Sequence, residues 1–199
     1  MNLPNKISIA RICMIPVFVL VFFLDGVLPF NFGLAAIIFA LAACTDFIDG
    51  HIARSRGLVT NLGKFLDPIA DKVLVSTAMI LLLTMKESLF DTISGCSYEL
   101  YVTTTICICI IMARELIISA FRQIAALNKV VMAADMLGKY KTTFQDVSIF
   151  FLIFSADFFG MFGGILFWFG FILFLCATVL TVWSGISYVV KNKQVLKDN

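Results

Sequence analysis

Apolar residues run along this chain in long blocks separated by short polar islands. A hydrocarbon core about 30 Å thick takes roughly 20 apolar residues to cross as a helix, and six blocks approach that length. The predicted helices run from about Ser8 to Leu24, Gly33 to Ile52, Pro68 to Met85, Leu100 to Ala126, Thr142 to Ala156 and Gly163 to Val190. The fifth is short, so its polar end is expected to meet a water-filled cavity or the interface. No Pro/Ser-rich linker, low-complexity stretch or repeat divides the chain. The pattern predicts an all-α integral membrane protein with six transmembrane helices in one bundle, a single domain over residues 1–199.

Composition supports that class. With 61% hydrophobic residues, 14% charged, 21 Phe and a mean hydropathy of +1.01, there is too little polar surface to clothe a soluble globule. The net charge of +2 says little, but its distribution predicts orientation. Of the 15 Lys and Arg, only Lys86 falls on the side opposite the termini. The positive-inside rule therefore predicts both termini in the cytosol. No nucleic-acid partner is expected. Lys6 and Arg11 precede the first apolar block as in a signal peptide, but "DGVLPFNFG" lacks a small-x-small cleavage pattern, so an uncleaved span is expected. The six cysteines form no framework, and Cys107-x-Cys109 lacks zinc-ligand spacing.

The stretch "TDFIDGHIARSRGLVTNLGKFLDPIADK" breaks the apolar pattern with four aspartates: Asp46, Asp49, Asp67 and Asp71. A carboxylate at mid-membrane costs on the order of 2.5–3.5 kcal/mol, so four facing lipid would cost around 10 kcal/mol. They must face a cavity. Asp46, Asp49, Gly50 and Ala53 fall at i, i+3, i+4 and i+7 on one helical face, which sets two carboxylates beside two very small residues. Asp67 and Asp71 lie one turn apart, with Pro68 predicted in the first turn of the third helix. Gly57 and Gly63 allow the two helices to fold back on each other. Four carboxylates make a hard oxygen site suited to Mg²⁺, Mn²⁺ or Ca²⁺. Two divalent ions would cancel their charge and form a clamp for a phosphoryl group, with Arg54, Arg56, Lys64 and Lys72 nearby. The plainer alternative is a set of interfacial Asp–Arg pairs that anchors helix ends.

Position by position, the stretch resembles the signature of the CDP-alcohol phosphatidyltransferase family, D-x₂-D-G-x₂-A-R-x₈-G-x₃-D-x₃-D, in Asp46, Asp49, Gly50, Ala53, Arg54, Gly63, Asp67 and Asp71. The resemblance implies transfer of a phosphatidyl or related group from a CDP-linked donor to an alcohol, with release of CMP. It implies that Asp46, Asp49 and Asp67 hold divalent metal, Mg²⁺ or Mn²⁺ and two ions. Asp71 would assist a metal and act as general base. Gly50, Ala53, Arg54 and Gly63 would make and support the donor site. It also implies a homodimer.

A second charged set lies in "MARELIISAFRQ" and "GKYKTTFQD". Glu115, Ser119 and Arg122 share one helical stripe, with Arg114 alongside. Thr142-x-x-Gln145 predicts a capping box opening the fifth helix, with Lys139 and Lys141 just before its positive end. Arg114, Arg122, Lys139 and Lys141 would then form an anion pocket. Alternatively, the lysines merely follow the positive-inside rule and Arg114 pairs with Glu115. These segments, and the opening "MNLPNKISIARICMIP" with Asn5, Ser8 and Arg11, are similar to the branch of the family whose acceptor is sn-glycerol 3-phosphate. That similarity implies CDP-diacylglycerol as donor, with Asn5 and Arg11 near it, and the four cations on the acceptor phosphate. A lipid and a soluble substrate require a cytosol-facing cavity open to membrane lipid. The competing expectations are a different acceptor, inositol phosphate or phosphatidylglycerol, and a divalent-cation transporter.

Overall fold

The structure is a computed structural model. It describes the backbone of residues 3–55, 61–91, 97–127 and 136–192, and the side chains of residues 7–45, 66–91, 97–125 and 138–192. Among the described residues there are no strands. Six α-helices follow one another: α1 (Leu3–Phe22), α2 (Asn31–Ser55), α3 (Asn61–Thr84), α4 (Ser97–Leu127), α5 (Met136–Ser155) and α6 (Gly160–Lys191). A π-helical segment, Lys86–Asp91, stands between α3 and α4 where the sequence reading expects a loop. Leu89 and Phe90 from that segment are fully buried, so it plugs one end of the bundle.

Two helices, α4 over Ser97–Ala125 and α6, are long and apolar enough to cross a membrane, and Ile7–Phe22 and Asn31–Thr45 form shorter apolar stretches. Along α6, Ile165, Phe169, Ile172, Val179, Trp183 and Ile186 all point outward. An apolar outer face of that extent fits lipid better than water.

The helices pack as α1 on α2 and α3, α2 on α5, and α6 on α4 and α5. Small residues set the close approaches, as expected where van der Waals packing rather than water expulsion drives association. Ala35, Ala36 and Ala42 are fully buried on α2. A Cβ on Gly170 of α6 would stand 3.1 Å from the backbone nitrogen of Leu152 on α5. At the end of the bundle holding the α1–α2 and α5–α6 connections, the helix termini satisfy one another. The Asn31 side chain donates to the Phe22 carbonyl at 2.9 Å, and Asp157 accepts the Gly33 amide at 2.5 Å. A carboxylate there completes orphan amides at the positive end of α2.

Two boundary expectations are corrected. Helix α3 begins at Asn61 rather than at Pro68, so Pro68 lies inside the helix and not in its first turn. Proline leaves the carbonyl four residues back without its amide donor, a loss that neighbouring helices and local groups offset in membrane bundles. Helix α5 begins at Met136, so the Thr142–Gln145 capping box does not form. The Thr142 hydroxyl instead donates back to the Gly138 carbonyl at 3.0 Å, and that of Thr143 to Lys139 at 3.1 Å. Both are mid-helix bonds in which threonine satisfies itself against the preceding turn.

Candidate active site

The acidic half of the site lies on α2 and α3, which touch. Asp46, Asp49, Gly50, Ala53 and Arg54 are in α2 and Gly63 is in α3. Their side chains, like those of Asn5 on α1 and His51 on α2, lie outside the described residues. Asp67 and Asp71 are described and are half-buried on one face of α3. The Ser8 hydroxyl of α1 donates to the Asp67 carboxylate at 2.5 Å. One turn on, the Arg11 guanidinium is 1% exposed, with its Nε 3.4 Å from the Thr45 hydroxyl of α2. Ser8 and Arg11 therefore tie α1 to both acidic helices, and Arg11 reaches α2 at the residue preceding Asp46. A buried guanidinium close to an acidic segment offsets part of its charge.

The basic half is organised by Glu115 on α4. Its carboxylate accepts from Arg114 at 3.0 Å and from the Lys141 ammonium of α5. Arg114 also donates to the Ser184 hydroxyl of α6 at 2.9 Å, so its guanidinium is held at two points. Gly185 leaves the space it needs, because a Cβ there would meet Arg114 Cγ at 3.1 Å and Nε at 3.2 Å. Lys72 of α3 donates to the Ser119 hydroxyl, which donates in turn to the Glu115 carbonyl at 2.6 Å.

A cavity of about 90 Å³ opens between α3, α4 and α5. Asp71, Lys72 and Ser76, Glu115, and Lys141, Thr142 and Gln145 supply its polar lining, with Val75, Met79 and Met112 among its apolar walls. Of the four cations expected on an acceptor phosphate, Lys141 lines this cavity and Arg114 abuts it through Glu115. The other two are placed elsewhere. The Arg122 guanidinium lies 5.4 Å from the Tyr188 ring centre and its Nε is 3.3 Å from the Tyr188 hydroxyl, while Lys139 is exposed and outside the cavity lining. Two residues apart on a helix is about 200°, so Lys139 and Lys141 cannot share a face. Sequence reasoning took Gln145 for a cap and gave Ser119 no partner. The spacing of Lys141 and Gln145, at i and i+4, is the signal that could have placed both on one face.

The profile of the CDP-alcohol phosphatidyltransferase family matches residues 1–183. Three similar proteins carry the name CDP-diacylglycerol–glycerol-3-phosphate 3-phosphatidyltransferase. The Rickettsia bellii protein is 38% identical, with 94% of this chain and 93% of the relative aligned. The Bacillus subtilis protein is 36% identical over 98% and 97%, and the Escherichia coli K12 protein 38% identical over 99% and 98%. With the profile spanning nearly the whole chain and relatives similar end to end, this all-helical protein belongs to the CDP-alcohol phosphatidyltransferase family.

Proposed function

We propose that this protein transfers the phosphatidyl group of CDP-diacylglycerol to sn-glycerol 3-phosphate, giving phosphatidylglycerophosphate and CMP. One observation carries the reading: Asp71, the residue suited to be a base, and Lys141, a cation for an anionic acceptor, line the same cavity. The names of the similar proteins from three genera support the same donor and acceptor.

In this reading the 1-hydroxyl of glycerol 3-phosphate forms the new bond to the phosphatidyl phosphorus. The bond from that phosphorus to the CMP oxygen breaks in line with it, and Asp71 takes the hydroxyl proton. Lys141, fixed by Glu115 and 4% exposed, binds the acceptor phosphate. Arg114 adds charge behind it. An oxygen-only donor set on two touching helices suits Mg²⁺ or Mn²⁺, with Asp46, Asp49, Asp67 and Asp71 as the ligands. Such ions, when bound, neutralise the pyrophosphate and acidify the attacking hydroxyl. Arg11, with Asn5, Gly50, Ala53, Arg54 and Gly63, borders the donor side of the site.

Six membrane-spanning helices with both termini and the cavity mouth in the cytosol complete the proposal. They follow from the apolar blocks and from the distribution of Lys and Arg. A homodimer is part of the same reading.

The test is CMP release by purified protein in detergent, supplied with CDP-diacylglycerol, glycerol 3-phosphate and Mg²⁺. Release that requires the acceptor supports the reading. Release with inositol phosphate or phosphatidylglycerol but not with glycerol 3-phosphate overturns the acceptor, and no release with any alcohol overturns the transferase.

A further inference from the structure

Gln145 is 3% exposed and lines the cavity one turn beyond Lys141 on the same face of α5. Its amide nitrogen has only a weak partner, the Met79 sulfur at 4.0 Å, and its side-chain carbonyl oxygen has no hydrogen-bond partner in the protein. A buried carbonyl without a donor is costly, and such groups are rare unless something outside the chain completes them. No wall group does so. Val75, Met79 and Met112 are apolar, the Thr142 hydroxyl is spent on the Gly138 carbonyl at 3.0 Å, the Ser76 hydroxyl makes no hydrogen bond to the amide oxygen, and the nearby Ser148 hydroxyl is spent on the Gln145 main-chain carbonyl at 2.7 Å.

The cavity is thus graded. Its charged groups, Asp71, Lys72, Glu115 and Lys141, lie on the first lining turns of α3 and α5 and the facing turn of α4. Beyond them lie two thioethers, the Ser76 hydroxyl and one unsatisfied amide oxygen. A carbonyl oxygen accepts but cannot donate, so it selects for an O–H or N–H and is indifferent to a phosphate oxygen. We propose that Gln145 is a specificity-determining residue that accepts a hydrogen bond from the 2-hydroxyl of the acceptor, the hydroxyl that does not react. The inference rests on the acceptor reading above and extends it from the phosphate to the polyol. In glycerol 3-phosphate the 2-hydroxyl lies between the reacting oxygen, which belongs at Asp71, and the phosphate, which belongs at Lys141. Filling the site therefore satisfies Gln145 without displacing either end.

The experiment compares two acceptors, glycerol 3-phosphate and 3-hydroxypropyl phosphate, which lacks only the 2-hydroxyl. They are tested with the wild-type enzyme and with Gln145→Met, a variant of similar volume that removes the amide. CMP release gives kcat/KM for each pair. The wild type is expected to prefer glycerol 3-phosphate by about 10- to 100-fold, since a site built around a hydroxyl leaves a polar group unpaired when it is missing. In Gln145→Met that ratio is expected to fall toward one. A wild type that turns over both acceptors equally overturns the proposal without any variant. A Gln145→Met enzyme that loses both activities in proportion, or keeps the wild-type ratio, also overturns it, leaving Gln145 a packing residue or one satisfied by water. If the wild type releases no CMP with glycerol 3-phosphate, the acceptor reading itself fails, a result distinct from any change in the ratio.

Discussion

The Lys141 ammonium on α5 is held by the Glu115 carboxylate on α4, and Arg114 reaches the same oxygen from the next position along α4. One half-buried carboxylate thus serves two cations, so it orients both while leaving net positive charge beside the cavity. A lysine on a flexible stem gains the most from such a clamp.

Glu115→Gln is expected to raise the KM for glycerol 3-phosphate by roughly tenfold, since a hydrogen bond to a charged group is worth about 1.5–3 kcal/mol. The KM for CDP-diacylglycerol should stay near the wild-type value. Steady-state kinetics with each substrate varied in turn checks this, and equal shifts in both would refute the positioning role.

Lys141 and Lys139 should behave differently, although the sequence pairs them. Lys141→Gln removes the cation that lines the cavity, and acceptor KM should rise at least as far as in Glu115→Gln. Lys139 is exposed and outside the lining, so Lys139→Gln should change acceptor KM by less than about twofold, the effect of a screened surface charge.

Gly185→Ala pushes a methyl group into Arg114, which cannot swing away while Glu115 and Ser184 hold its guanidinium. Overpacking of this kind costs about 1–3 kcal/mol. A lowered thermal midpoint in detergent is expected, together with weaker acceptor binding. Gly164→Ala, where a Cβ meets nothing within 4 Å, is the matched control.

Asp71→Asn keeps the size of the side chain but removes the base. CMP release should fall by about 10²- to 10⁴-fold, the usual contribution of general base catalysis, with thermal stability retained. Chelation with EDTA should abolish release in the wild type and added Mg²⁺ or Mn²⁺ should restore it. Persistence of activity after chelation would remove the metal from the proposal.

At the opposite end of the bundle, burial raises the Asp157 carboxyl above the ordinary aspartate value, against the lowering effect of the Gly33 and Phe32 amides, and Asp25 raises it further. The folded protein therefore holds this proton more tightly than the unfolded chain. Its contribution to stability is fully present below the ordinary value of 3.8 and is lost as pH rises through the raised one. Thermal midpoints should decline across that interval, and Asp157→Asn, which keeps an acceptor for the Gly33 amide, should flatten the slope.

Much of this protein was legible in the order of its residues. Blocks of apolar side chains have no low-energy arrangement in a bilayer except helices that satisfy their own backbone, so six helices could be read before any contact was known. Asp67 and Asp71, and likewise Asp46 and Asp49, are near in sequence, and helical periodicity alone puts each pair on one face. Local chemistry misled where tertiary packing was stronger. Thr142 and Gln145 read as a cap opening α5, yet the helix begins six residues before Thr142, and the amide that looked like part of that cap lines a cavity among α3, α4 and α5. The cations also depend on packing. Arg114, Arg122, Lys139 and Lys141 look equivalent along the chain, but only contacts between helices far apart in sequence separate the one beside Glu115 and Ser184, the one stacked on Tyr188, the one left in the open and the one that lines the cavity. Periodicity determines which residues share a face of one helix. Which faces then meet depends on side-chain volumes summed over the whole bundle, and those exist only once the chain is folded.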